Sequence, residues 1–388
     1  MNNGLLFVLR KIQKLNLSVW FFYFVIFYFA NKARYLHGTA LKAIGIGAHT
    51  RMVTIKDISA ACGVSIATVS KALNGYTDVS KTTRELVSKT AEQMGYFPNS
   101  QARALKTNRT YNLGVLFIDD AQSGLTHDYF ALVLDSFKVE AEKNGYDITF
   151  ISHNIGNKSM SFYEHCLYRK VDGVVIACVE FSHPAVIELV NSDIPVVTID
   201  HVFNNRTSIV SANRCGVREL VEYAYSKGHR KIAYIHGKKS AVTESRLGSF
   251  YKTMADLGLR VPSDYLQEGA YHEPPATEEA AKRILSLSDR PTCILFPDDF
   301  SAVGGLAAIE EAGLSVPDDI SVIGYDGIYL SQVMKPRLTT FKQDTTRLGK
   351  EAAIQLVRLI EHPITTLIER VVIYGKFLEG SSVKDLDN

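Results

Sequence analysis

Arg246, Asp298 and Asp326 are the residues whose types and positions best suit chemistry. Asp298 follows an apolar run ending at Phe296, and Asp326 ends the run 321–325, so each carboxylate stands where an expected strand gives out. Ionised carboxylates offer only acceptors, and the Arg246 guanidinium adds a rigid fan of donors, a combination that suits ligand hydroxyls. A salt bridge among the three without any ligand is the plainer alternative. Tyr129 and Phe130, at the start of an expected helix, supply either a stacking face or ordinary core.

Catalytic patterns are missing. There is no Gly-x-Ser-x-Gly elbow, no phosphate loop ending in Lys-Ser/Thr and no His-Glu-x-x-His pair. Gly45-Ile46-Gly47 lacks the third glycine and preceding strand of a dinucleotide loop. Asp119-Asp120 and Asp298-Asp299 could suggest paired carboxylates, but neighbours at a strand end point different ways. The five cysteines, at 62, 166, 178, 215 and 293, show no ligand spacing and mostly sit in apolar runs. The reading is a binding protein, not an enzyme, with no cofactor and no metal.

A second constellation lies upstream. Residues 53–74 read as a compact helix-turn-helix: Ile58 and Ala61 give the first helix a buried side, Gly63 allows a tight connection, and Ser65 caps a second helix with Val69 and Leu73 inward. The outward residues Ile66, Ala67, Thr68, Ser70 and Lys71 are short or polar enough to meet a DNA groove. An ordinary surface hairpin is the competing reading. Ser80 opens a third helix carrying Val87, Ala91 and Met94, which Gly95 stops. Pro98 then forces an extended lead-in, and Asn99 can cap a helix of about two turns, too short to be stable without a partner. Charge divides the chain at the same place: residues 52–109 hold eight Lys/Arg against four Asp/Glu, whereas residues 110–388 hold 28 against 37. A basic module on an acidic body suits phosphate contact by the small part alone.

Beyond residue 112, short apolar runs alternate with amphipathic stretches, the pattern of a parallel-sheet α/β body. Strands are expected at 113–118, 147–152, 173–177, 196–199, 231–235, 293–296 and 321–325, with a further one at 367–374. Helices are expected at 129–143, 217–226 and 301–312, among others. Roughly 280 residues exceed one growing core, so two lobes are expected with a ligand cleft at their strand ends. No leucine heptads that would build a tetramer follow them.

From Met52 onward the chain resembles the lactose/galactose repressor family of bacterial transcriptional regulators. The signatures are Val64-Ser65, Thr68-Val69-Ser70-Lys71, Leu73-Asn74, Gly95-Tyr96, Pro98-Asn99 and Ala102-Arg103-Ala104-Leu105. In the body they are Lys227-Gly228-His229, Glu244-Ser245-Arg246 with Phe250, Pro297-Asp298-Asp299, Gly324-Tyr325-Asp326 and Pro336-Arg337-Leu338. The resemblance implies an all-α helix-turn-helix over 52–97 and a hinge helix within 98–110. A two-lobed α/β body over 111–388, with parallel sheets like periplasmic sugar-binding proteins, completes it. It also implies double-stranded operator DNA as partner, a homodimer and a cytoplasmic, nucleoid-associated place. The DNA-contacting set would be Ser65, Ile66, Ala67, Thr68, Ser70, Lys71, Asn74, Asn99, Ala102, Leu105 and Lys106, with Leu105 wedged into the central base step. The effector set would be Tyr129, Phe130, Arg246, Asp298 and Asp326. Three departures stand out: Lys71 where many relatives have arginine, Asp298 where asparagine is commoner, and Ala212 where many carry aspartate.

The expected function is therefore a repressor released from its operator by a neutral sugar. A corepressor-dependent regulator sensing a purine or another metabolite is the alternative, and a sugar-binding protein without DNA function a further one. Residues 1–51 fall outside the resemblance: they hold seven Lys/Arg, no Asp or Glu, and the apolar run 15–30. At 16 residues that run falls short of the roughly 20 a spanning helix needs. The expectation is a natural start at Met52, with no membrane partner.

Overall fold

The computed structural model describes residues 53–96, 109–119 and 123–387, which belong to two units, 1–99 and 100–388. The first unit holds three helices, α1 (Ile55–Cys62), α2 (Ile66–Leu73) and α3 (Lys81–Gln93). Thr54 N donates to the Asp57 carboxylate at 2.8 Å to open α1, and the Ser65 hydroxyl accepts from Thr68 N at 3.1 Å to open α2. Between them Gly63 takes φ 65°, a left-handed turn that a side chain would strain. Ile58, Val69, Ala72, Val79, Val87 and Ala91 make the buried core. Ala61 is exposed, contrary to expectation. Its place is taken by Ile55 and Cys62, three before and four after Ile58, which form the inward stripe of so short a helix.

The second unit is doubly wound. Its first sheet contains β1 (Asn112–Phe117), β2 (Asp147–Phe150), β3 (Gly173–Ala177), β4 (Val196–Ile199), β5 (Thr207–Ser211) and, from late in the chain, β11 (Arg370–Ile373). The strands are parallel in the order β11-β5-β4-β3-β1-β2. Helices α4 (Asp128–Lys143), α5 (Phe162–Arg169), α6 (Pro184–Val190) and α12 (Thr345–Glu361) cover it. Alternate residues along β3 serve opposite faces: Val175 and Ala177 meet α4 and α12, while Val174 and Ile176 meet α5 and α6. This is why β3 reads as an unbroken apolar run.

The second sheet, β9-β8-β6-β7, is also parallel and comprises β6 (Ile232–His236), β7 (Leu266–Glu268), β8 (Cys293–Leu295) and β9 (Ser321–Ile323). Helices α7 (Asn213–Ser226) and α8 (Ala241–Asp256) pack on one face, α9 (Pro274–Leu285) and α10 (Ala302–Glu311) on the other. The chain passes between lobes from β5 into α7, then through residues 326–344, which include α11 (Tyr329–Val333) and β10 (Thr340–Lys342). It passes again from β11 to β12 (Lys376–Leu378), which pairs antiparallel with β10.

Expected strands and helices fall at these places with shifted ends. The 147–152 strand stops at Phe150, the 321–325 strand at Ile323, and 367–374 shortens to Arg370–Ile373. β5, β7, β10 and β12 lack an expectation: β5 is bounded by Thr and Ser, and the other three are three-residue strands outside any longer apolar run. Among the described residues no helix is long and apolar enough to cross a membrane. The apolar run 15–30 and the hinge segment 98–108 lie outside the described residues.

Candidate effector cleft and DNA-reading face

Arg246, near the middle of α8, is only 3% exposed. Its Nε donates to Asn213 Oδ1 at 2.8 Å and its Nη1 to the Pro297 carbonyl at 2.7 Å, while Nη2 lies 3.9 Å from Asp326 Oδ1. The guanidinium sits over the Tyr325 ring at 3.6 Å from the centroid, with Tyr271 at 5.6 Å. Burial works against its charge, but the two rings and Asp326 hold the pKa above the ordinary value.

Asp326 stands at the interlobe passage with φ 102°, and Gln343 Nε2 donates to its Oδ1 at 2.6 Å. Burial pushes its pKa well up, with Arg246 opposing. Asp200, beyond the end of β4, also has positive φ, at 56°. Ser211 N donates to its Oδ1 at 2.7 Å and the Tyr129 hydroxyl to its Oδ2 at 3.3 Å, and burial again raises the pKa. Such backbone strain, repeated at two buried carboxylates, is held in place by these bonds.

Asp298 does not behave as expected. Its Oδ1 accepts from Ser301 N at 2.6 Å, and its Oδ2 from His272 N at 2.9 Å and Ser301 Oγ at 2.8 Å. A carboxylate so engaged organises the loops after β7 and β8 and has little left for ligand hydroxyls. Asp299 turns away, as adjacent residues do, and accepts from Thr340 Oγ1 at 2.6 Å and Ile328 N at 3.0 Å. Burial raises it to about 7. Tyr129 is 5% exposed and belongs to the first lobe's core, with only its hydroxyl reaching the polar cluster. Phe130 is half-buried, 5.4 Å from Phe117 and 5.1 Å from His127, ring to ring.

The structure thus brings Arg246, Asp326 and the Tyr129 hydroxyl together and assigns Asp298 to the framework. It adds Asn213, Asp200 and Gln343. Asp200 was missed although it follows the expected strand 196–199, the same signal that drew attention to Asp326, whereas Asn213 and Gln343 become neighbours only because the chain crosses between lobes beside them. Ala212, where many relatives carry aspartate, is buried at the start of α7, and its successor Asn213 makes the polar contact to Arg246. Two cavities flank this cluster. One of about 540 Å³ is lined by Asp200, His201, Ser211, Asn213 and Ser245 among others, and one of about 660 Å³ by Asp326, Gln343, Lys342 and Tyr329 among others. Both suit a small molecule. Among the described residues no group of three or more His, Cys, Asp or Glu is placed to hold a metal ion.

In the first unit, α2 turns Ile66 outward at 48% exposure, with Ser65 and Ala67 also exposed. Asn74 Nδ2 donates to the Ser70 carbonyl at 2.6 Å, closing the end of α2. Lys71 is paired with Asp78 across the following turn, which raises its pKa through that bond. Meeting a base or phosphate therefore requires it to leave Asp78. Asn99, Ala102, Leu105 and Lys106 lie outside the described residues.

Two family descriptions match: bacterial regulatory proteins of the lacI family over residues 54–99, and a periplasmic binding protein-like domain over 221–383. The chain is 32% identical over 345 residues to the HTH-type transcriptional repressor PurR of Histophilus somni (strain 129Pt), covering 86% of this chain and 100% of that protein. Its fold is similar to that of the lac repressor dimer bound to operator and the anti-inducer ONPF, with TM-score 0.72, 25% identity, and 86% and 100% coverage of the two chains. The transcriptional regulator CelR in complex with cellobiose is also similar, with TM-score 0.61, 22% identity, and 85% and 99% coverage.

Proposed function

Because the chain belongs to the lacI family of bacterial regulatory proteins, we propose that it is a homodimeric operator-binding repressor with a small planar heterocycle, such as a purine base, as corepressor between its lobes. It is a transcriptional regulator and not an enzyme. The corepressor reading replaces the expected sugar-released one. The observation that carries it is the buried Arg246–Asp326 pair lying on aromatic faces. A base offers donors and acceptors side by side on one edge, which such a pair matches, and a flat face for the half-buried Tyr271 ring beside Arg246. The acceptor surplus that favoured a polyol shrinks once Asp298 is engaged by Ser301 and His272. Curated relatives at 32% identity are repressors, which supports the same sense of regulation.

On the DNA side, α2 would enter the major groove with Ser65, Ile66, Ala67, Thr68, Ser70, Lys71 and Asn74, and two heads would read a pseudo-palindromic site. Leu105, carried between Ala102 and Lys106 on a helix capped by Asn99, would open the central base step. The effector would act by resetting the angle between lobes to which the hinge segments are tied.

Calorimetry of the full chain against purine bases, neutral sugars and sugar phosphates tests the ligand, followed by binding to operator sites selected from random DNA. The expected result is a purine base that binds and tightens operator affinity. Response to a neutral sugar with none to bases overturns the ligand class, and failure to select any DNA site overturns the regulator. Leu105→Ala should weaken selected sites more than random DNA, and equal losses would remove the wedge.

A further inference from the structure

Two histidines from opposite lobes lie face to face in the cleft. His127 immediately precedes α4 of the first lobe and His272 follows β7 of the second. Their ring centroids are 4.0 Å apart at 19°. The other face of His272 rests on Phe300 at 4.0 Å and 9°, and Phe130 meets His127 edge-on. A hydrogen bond joins the same lobes: Ser123 Oγ lies 2.8 Å from His272 Nδ1. His272 is held for this contact, with φ 56° and its backbone N–H on Asp298. Among the described residues the ring nitrogens His127 Nδ1 and His272 Nε2 are buried without a partner.

We propose that the His127–His272 stack is a proton-sensitive latch that holds the two lobes together. It stands on the contact itself and applies whichever effector the cleft takes.

Neutral imidazoles stack with little cost, but a proton on either ring puts a cation into a buried site, and a second would set two charges 4.0 Å apart. Burial, and then His272, push His127 down to about 4, while Asp119 from the loop after β1 pulls the other way. From the second lobe, Asp298 faces His272, and the neighbouring Glu273 is taken up by Lys238 at 2.9 Å. With the lobes apart, His127 would titrate near its ordinary 6.5. The open form therefore binds the proton more readily. The latch is fully present above pH 6.5 and is lost as the pH falls from there toward about 4. At about pH 5 the closing equilibrium should be roughly thirtyfold weaker than at neutrality.

Hydrogen exchange of the full chain, corrected for intrinsic rates, reads this at the amides of residues 123–130 and 266–272. In the parent, protection in both segments should fall together, about thirtyfold, between pH 7.5 and 5.0. His127→Phe keeps the stack without the titrating ring and should stay protected at both pH values, whereas His272→Phe leaves His127 buried against a neutral ring and should keep much of the fall. His272→Ala should already be open at pH 7.5, with circular dichroism unchanged. Constant protection in the parent, or His272→Ala as protected as the parent, overturns the latch. A fall in His127→Phe equal to the parent's would assign the titration to the carboxylates and overturn the part of His127.

Discussion

Replacing Arg246 by methionine tests the interlobe cluster most directly. The substitution keeps a long apolar side chain over Tyr325 but removes the donors to Asn213 Oδ1 and the Pro297 carbonyl, and the charge facing Asp326. Those groups are buried, so water cannot replace the lost partner. Breaking a buried pair from one side typically costs about 3–5 kcal/mol, which for a body of this size lowers the melting temperature by on the order of 10 °C. The pH dependence carries the signature. Asp326 already has a raised pKa, and losing Arg246 raises it further, because Arg246 is the main influence pulling it down. A folded-state carboxyl with a raised pKa binds protons more readily than in the unfolded chain, so the deficit grows above the unfolded value of about 4 and shrinks as the pH falls. Urea titration of the body followed by circular dichroism should give a larger deficit at pH 8 than at pH 5. The double variant Arg246→Met with Asp326→Asn should recover much of it. A loss below about 1 kcal/mol, or one equal at both pH values, would mean that the pair is not the buried charge cluster described.

Three further outcomes follow from the packing and the head. Ile58→Ala, at the centre of the head core, should cost about 2–5 kcal/mol in the first unit's melting while leaving the body's transition in place. A Cβ at Gly349 has no room against the backbone of Val133 and Phe137, so Gly349→Ala should force α12 away from α4 and destabilise the body by roughly 1–3 kcal/mol in urea titration; an unchanged midpoint would show that the helices are not so closely apposed. Lys71→Ala should weaken operator binding and lower the salt dependence by about one unit of slope, whereas Asp78→Asn, which frees the ammonium, should tighten binding at low salt; no change in either variant would place Lys71 off the DNA.

Local chemistry made much of this protein legible. Gly63 and Ser65 specify the turn and cap of the head because positive φ and a side-chain acceptor are demands that a few residue types meet. The run 173–177 announces a buried parallel strand because neither face of β3 meets water. Ala61 was misplaced because an eight-residue helix buries one narrow stripe, and the partner helices choose which. Asp326 could be picked out as a charge just beyond an expected strand, and Arg246, which lies on α8, as the donor that complements it. What Asp298 does was not visible, since its donors, Ser301 and His272, come from two loops that meet only when β7 and β8 are both in place.

Sequence by itself determined the local things: helix starts and stops, the turn, the alternation of strands and helices, and the charge contrast between head and body. These depend on neighbours within about one helical turn or on the period of the apolar pattern. Tertiary structure alone decided which polar groups share a site. Asn213, Gln343 and Asp200 surround Arg246 and Asp326 because the chain crosses between lobes beside them, and His127 meets His272 across 145 residues because two separately wound sheets face each other. Such contacts follow from how whole sheets close, which no short window of residues records.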